Sequence, residues 1–496
     1  MSIRCFRKTM GVCVLGSSLV WAASSGAIVP NSRVRPSAQP SSPGELVNLT
    51  AAGSSLKWIR TFSDFFSEKN LGDTEDSQGE ASWPTGDGDL VLAGQARLSP
   101  AGPNDPYVHD LILLEVRPMG EVGWTFAYEA RPPQDLNILY NQGGLVRLGD
   151  GDYLLVAQWS TFDQNTAIRE DYPILIKVGP AGQFRWARLI GLGSRGESLH
   201  ADAMPPTPTS DGGVILAGHS SPSGSWLVKL DAHGEVSWGK KLSIGLGLGH
   251  PCGTSDGGFA LIGYSSSRQA ILAKFDGRGS IQWHRNYSQG SDWGCGEVQS
   301  FASTVSQTSD GGYVISGETG GYDCGGDTRA EAWFCKLTAS GEIVWQKKVH
   351  AGHILRARDG GFVAHRNGGE LFKIGVNGSR QWFRLFGHTT IGTAAEAENG
   401  DLVVTGHMYP DDSSHPVMEV LHLNSAGTMA NACPLISSPV DTTVVGEGGL
   451  HLSPATAVTA VSRPVWTEPQ PDKTVSRGCK VTTRCVSSLY RKPLVK

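Results

Sequence analysis

The feature that most constrains this chain is an internal repeat whose inner spacing stays fixed. Its clearest copy reads Thr308-Ser309-Asp310-Gly311-Gly312-Tyr313-Val314-Ile315-Ser316-Gly317. After a loop come Trp333-Phe334-Cys335-Lys336-Leu337, a turn through Gly341, and Ile343-Val344-Trp345. Close copies begin near Asp211 and Asp256, and looser ones near Asp87, Asp150, Asp359 and Asn399, so seven follow one another at intervals of 40–63 residues. Gly120, Gly182, Gly234, Gly279, Gly341 and Gly378 each stand four residues before a tryptophan (Trp124, Trp186, Trp238, Trp283, Trp345, Trp382). Five residues before those glycines stand Glu115, Lys177, Lys229, Lys274, Lys336 and Lys373. Three columns in register six times over are not a product of chance.

Each copy reads as four strands. The Asp-Gly pair suits a tight hairpin, because glycine takes φ > 0 without strain. Tyr-Val-Ile-Ser and its equivalents form the second strand, the lysine-bearing segment the third, and Gly-x-x-x-Trp turns into the fourth. Repeats of this length and strand count predict an all-β fold, a single β-propeller of seven four-stranded blades. The seventh copy keeps His422 and Gly427 but has Asn431 in the tryptophan place. Ser55-Leu56-Lys57-Trp58-Ile59-Arg60-Thr61-Phe62 resembles an orphan fourth strand, and is expected to close the ring on the last blade. Closure removes the sheet edge that would otherwise invite aggregation.

The remaining segments are read by composition. Arg4, Arg7 and Lys8, the apolar run Met10 to Ala23 and the small residues Ser25-Gly26-Ala27 make residues 1–27 an expected signal peptide. Residues 28–50 read as a linker, 51–437 as the propeller, and 438–496 as a C-terminal tail, a small disulfide-stapled appendage being one form it could take. The predicted location is therefore outside the cytoplasm: extracellular, periplasmic or at the cell surface. Removing the three N-terminal cations takes the net charge from −5 to −8. A mildly acidic chain without a basic tract argues against a nucleic-acid partner. No later stretch reaches the ~18 apolar residues of a membrane span, and a monomer is expected.

The Asp-Gly-Gly-Tyr-Val-Ile-Ser-Gly and Lys-Leu-x-x-x-Gly-x-x-x-Trp segments resemble the repeat of a large family of secreted bacterial and archaeal propellers, over roughly residues 52–437. That resemblance implies the fold and carries no catalytic residues. Leu230-Asp231-Ala232-His233-Gly234-Glu235-Val236-Ser237-Trp238 is more distantly similar to the tryptophan-docking repeat of quinoprotein dehydrogenases and of propeller scaffolds in outer-membrane assembly. The quinoprotein enzymes typically carry adjacent cysteines beside their cofactor; this chain has no Cys-Cys pair, and His233 stands where the repeat has threonine. No cofactor is expected.

Candidate site residues are few. The tryptophan column reads as inter-blade packing, with Trp238 and Trp283 expected to be buried between blades. The lysine column reads as stems lying along a blade face, with charges at the rim or on an acidic turn such as Asp231. Asp323, Asp327 and Glu331 in the long loop of the fifth copy are the candidate calcium ligands, three carboxylates where calcium takes six to eight oxygens. His200, His219, His250, His350, His353 and His388 stand singly, and no nucleophile elbow or phosphate loop is present. Seven of the nine cysteines follow the signal segment. Cys295 and Cys324 fall on segments that four-strand topology places on one face, and a disulfide between them is expected, against reduced thiols or pairing with Cys252 as alternatives.

Length collects on one face. Residues 97–107, 159–171 and 318–331 read as long second-to-third-strand loops, and 131–143, 190–206 and 288–303 as long blade-to-blade connections. Binding residues usually sit on such loops. The function expected is an exported noncatalytic binding or scaffold propeller contacting a protein or glycan through this face. The alternative is a propeller enzyme (a lyase, glycosidase or quinoprotein-like dehydrogenase) with its site near the axis.

Overall fold

The computed structural model describes residues 57–486 except the connecting segments 66–73, 86–87, 100–107, 131–137, 164–167, 193–198, 201–205, 221–223, 243–249, 265–268, 290–298, 323–327, 349–351, 411–413, 430–435, 438–449, 454–459, 471–473 and 477–479 and single positions 64, 367, 388 and 464. The expected signal peptide and linker lie outside the described residues.

Seven antiparallel sheets follow one another along the chain, each built on four strands. Blade 1 spans residues 74–130, blade 2 138–192, blade 3 199–242, blade 4 252–289, blade 5 299–347 and blade 6 353–386. Blade 7 takes three strands from residues 389–423 and its fourth from Trp58–Ser63, near the other end of the chain. Trp58 pairs with His422 and Phe62 with Met418, so the N-terminal segment closes the ring as expected. Ser77 of blade 1 completes the seam: its amide donates to Pro416 O at 2.8 Å, and its hydroxyl to Phe62 O at 3.2 Å. Beneath these bonds Trp58, Phe62, Leu90, Leu92, Met418 and Val420 form one apolar core shared by blades 7 and 1.

Blade 5 shows why the repeat reads Asp-Gly-Gly. Gly311 holds φ at +79°, as the hairpin requires. Asp310 Oδ1 accepts the Gly312 amide at 3.0 Å and the Lys336 ammonium at 2.9 Å. A Cβ on Gly312 would lie 2.4 Å from that ammonium and 2.3 Å from Leu337 O, so the second glycine leaves the space the lysine needs. Lys177–Asp150, Lys229–Asp211, Lys274–Asp256 and Lys373–Asp359 repeat the pair at 2.6–2.8 Å. The expectation of an Asp231 partner is corrected, since Lys229 turns to Asp211. Asp231 instead caps its own turn, accepting the amides of His233 and Glu235.

The tryptophans dock between blades but are half-buried rather than enclosed, a correction for Trp238 and Trp283. Trp238 lies under the Gly279 turn of blade 4, its Nε1 3.3 Å from Gly277 O and the Lys240 ammonium 5.2 Å from its ring. Wedge-shaped blades diverge outward, so a ring at the rim keeps one side near solvent.

Two expectations about length change. Segments 159–171 and 318–331 are mostly strand: Asp163 pairs with Ile168 and Tyr322 with Thr328, leaving connections of 164–167 and 323–327. Second and third strands run 9–11 residues in blades 1, 2 and 5, against 5–7 in blades 3, 4, 6 and 7. At roughly 3.3 Å per residue the three tall hairpins rise about 13 Å higher on the face away from the Asp-Gly turns.

The tail is not a separate appendage. Ile436–Ser437 pairs with the outer strand of blade 6, Leu450–Ser453 with blade 4, Ala460–Arg463 with blade 3, Val465–Gln470 with blade 2 and Thr474–Ser476 with blade 1. Lys480–Val486 ends on Trp58–Ser63 in blade 7. The segment therefore runs back around the rim as a strap. Every outer strand offers an unpaired row of amides and carbonyls, and an extended chain satisfies it without needing a hydrophobic pattern of its own. Among the described residues blade 5 has no fifth strand.

Candidate functional site

The first strand of each blade lies at the sheet edge opposite the outer strand, and in four blades it carries an irregularity. In blade 5 the ladder breaks between Ala302, opposite Gly317, and Thr304, opposite Ser316, so Ser303 is an extra residue. The same bulge falls on Glu80 in blade 1 and on Gly392 in blade 7, and a wider one lies between Tyr140 and Gly144 in blade 2. The last glycine of the repeat makes room for it: a Cβ at Gly317 would lie 2.0 Å from Phe301 O, and one at Gly406 2.0 Å from Thr390 O. Bulges re-aim side chains and gather near functional sites.

Here the bulges bind neighbouring blades together. Ser303 O accepts the His250 amide of blade 4 at 3.1 Å, and Ser303 Oγ donates to Gly352 O at the entry to blade 6 at 3.2 Å. That arrangement gathers three histidines. The His250 and His353 rings lie 4.6 Å apart, and His353 stacks on His365 at 5.0 Å and 20°. Burial, then the neighbouring His353 and His250, hold His365 well below the ordinary imidazole range. Burial lowers His353 as well. Both are neutral imidazoles near pH 7, and His365 Nδ1 is buried without a hydrogen-bond partner among the described residues. Among the described residues no group of His, Cys, Asp and Glu side chains is arranged to hold a metal ion.

Glu80, at the bulge of blade 1, is the second perturbed group of the inner strands. Burial pushes its carboxyl up to about 7, so it holds its proton about half the time near neutrality. Glu80 and the histidines belong to blades on different sides of the ring.

The candidate residues expected from sequence fare unevenly. Asp323 and Asp327 lie outside the described residues. Glu331 sits in strand Thr328–Leu337, its backbone paired opposite Thr319. Cys295 and Cys324 also lie outside the described residues. Cys252 is a free thiol, so the alternative pairing through it is not made. Its Sγ accepts the Gln307 amide at 3.2 Å, and burial pushes it up to about 11. Cys335 is likewise free and buried. His250 and His353 were noted as isolated, and His365 and Glu80 were missed. Superposing the seven copies pairs two of the three histidines, because His353 falls at Thr304 and His365 at Ser316, which are paired positions.

No protein-family model matches the chain, and no curated protein matches it. Among solved structures it is similar to the polysaccharide lyase Uly1, at 11% identity and a TM-score of 0.43 over 70% of this chain and 90% of that one. The Dos1 propeller is similar at 12% and 0.38, over 73% of this chain and 96% of that one. The rhamnogalacturonan lyase YesW is similar at 13% and 0.36, over 75% and 76%. At these identities and scores the likenesses assign neither residues nor activity.

Proposed function

We propose that the chain is exported by residues 1–27 and acts as a noncatalytic binding propeller, taking a protein or glycan on the face where its tall hairpins rise. The observation that carries this reading is the unequal height of the blades. A ring needs only the shorter strands, so the extra length in blades 1, 2 and 5 serves something beyond closure. These hairpins are held rigidly. In blade 2 the buried Ser160 hydroxyl donates to the buried Asp171 carboxylate across the hairpin, and Gln158 Nε2 donates to Leu199 O of blade 3 at 3.1 Å. Rigid walls lower the ordering cost of binding. A Cys295–Cys324 disulfide, closing about 30 residues on the same face, belongs to this proposal.

Glu80 and His353 favour a second reading, an enzyme with its site near the axis, because a carboxyl near pKa 7 and a neutral imidazole are the groups that exchange protons in catalysis. One panel of neutral and acidic polysaccharides separates the two. Affinity electrophoresis reads retention, and assay of new reducing ends or unsaturated sugars reads turnover. Binding without turnover, lost when 164–167 and 323–327 are replaced by Asn-Gly turns, supports the first reading. Turnover that disappears in Glu80→Gln replaces it with the second.

A further inference from the structure

The break in the lysine column leaves a site on the opposite face. In blades 2 to 6 the third strand carries a lysine whose stem runs toward the short turns and whose ammonium ends on the Asp-Gly hairpin. In blade 2 that ammonium also reaches across the seam, donating to His233 O of blade 3 at 2.8 Å. Blade 7 departs from this pattern twice. His422, paired with Trp58 as Lys336 is with Trp345, stands in the lysine place. Asp401 occupies the position of Gly312, which is glycine in blades 3, 4 and 6 as well (Gly213, Gly258, Gly361) and Asp152 beside the lysine of blade 2. The cation for Asp401 arrives instead from Lys57, beside the closing strand.

A short imidazole in place of a four-carbon stem leaves space. Between blades 7 and 1, on the short-turn face, lies a cavity of about 340 Å³. Leu90, Val116 and Val403 give it apolar walls, and among the described lining residues Asp89 and Glu398 supply carboxylates and Arg117 a guanidinium. The neighbouring Lys57–Asp401 pair brings one charge of each sign, so the described lining carries a net negative charge. His422 Nε2 lies 3.4 Å from Asp401 Oδ2. His422 Nδ1 is buried and has no hydrogen-bond partner among the described residues. Apolar walls with a few polar groups and a volume near 300 Å³ are the usual make-up of a small-ligand pocket.

We infer that this seam cavity binds a primary alkylammonium on a short apolar stem, the chemical group that the chain's own lysines present at the same height in five other blades. The stem lies along Leu90, Val116 and Val403, and the ammonium meets Asp89 and Glu398. Because the cavity joins the closing strand's blade to blade 1, its occupant stabilises ring closure and raises the melting temperature. The site lies on the face away from the tall hairpins and stands or falls independently of the proposed binding function.

Titration calorimetry and thermal unfolding of the full chain test it, with n-butylammonium, 1-butanol, butyrate and Nα-acetyl-lysine methylamide as probes at equal ionic strength. Saturable binding of n-butylammonium with a raised melting temperature, and none by butanol or butyrate, is the expected result. Glu398→Gln and Asp89→Asn should each weaken it roughly three- to five-fold, the size of a partly exposed ion pair. The double change His422→Lys with Asp401→Gly rebuilds the repeat's own lysine and should abolish it. Binding by the lysine amide alone places the ammonium on a protein side chain rather than a free amine. Equal binding of all four probes, or none by either amine, overturns the inference.

Discussion

Blades 5 and 7 carry the same repeat and are held by different means. Blade 5 is one unbroken stretch of chain, and a lysine on its third strand fastens the hairpin to its own carboxylate. Blade 7 is assembled from both ends of the chain. Its outer strand, Trp58–Ser63, is bonded on one edge to Val417–Leu423 and on the other to Lys480–Val486 of the strap. A local copy can rely on local contacts; the seam needs long-range ones, and those carry the greater loop-closure cost. The contrast teaches that a repeat fixes the shape of each blade, whereas the departures from it mark where the ring is joined.

The largest expected difference between the two kinds of blade is at the seam core. Phe62 is fully buried between blades 7 and 1, so Phe62→Ala should cost about 3–5 kcal/mol in chemical unfolding. Trp238, half-buried at a rim seam, should cost roughly 2 kcal/mol when replaced by alanine, its apolar area being only partly removed from water. Equal costs would mean that closure is no different from any other inter-blade contact.

The lysine lock gives a smaller, pH-dependent effect. Burial pushes the Asp256 carboxyl up, but hydrogen bonds from Lys274, Thr254 and the Gly258 amide outweigh it and lower it to about 2. A carboxyl depressed from its ordinary ~3.9 stabilises the fold above that value and loses the contribution as pH falls toward 2. Asp256 is half exposed, so screening holds the effect to about 1 kcal/mol. Lys274→Met should flatten the acid limb of stability between about pH 4 and 2 while changing little at pH 7 beyond the lost pair. A steep acid limb retained in the variant would show that the lock does not set it.

How much of this was legible follows from which contacts are periodic. The seven blades and the closing strand were, because Asp-Gly turns, lysines and tryptophans recur at fixed offsets and Trp58 repeats the last of them. The strap was not. Val465–Gln470 and Lys480–Val486 bear Val and Thr suited to strands, but they join sheet edges through backbone groups, which leave no register in the side-chain pattern. The histidine cluster was hidden for a related reason. His250 and His353 are a hundred residues apart and meet because blade 5 bulges at Ser303, and a bulge is one extra residue that no alternation of polar and apolar positions reveals.

The smallest effect concerns the outer edge of the closing strand. Ending the chain at residue 476 removes Lys480–Val486 and leaves the other strap strands and all seven blades their residues. Trp58–Ser63 would then keep only its bonds to Val417–Leu423 and become an edge. Edge strands open locally at lower free energy than strands bonded on both sides. Amide exchange of Trp58–Ser63 should quicken by roughly five-fold, equivalent to about 1 kcal/mol of local opening. Ile343–Lys347 in blade 5 provides the internal control: it already lacks a strap strand among the described residues and should exchange at the same rate in both chains. Faster exchange there too would mean that the strap tightens the whole ring rather than the seam. Unchanged exchange at Trp58–Ser63 would mean that Val417–Leu423 and the core beneath hold the closing strand by themselves.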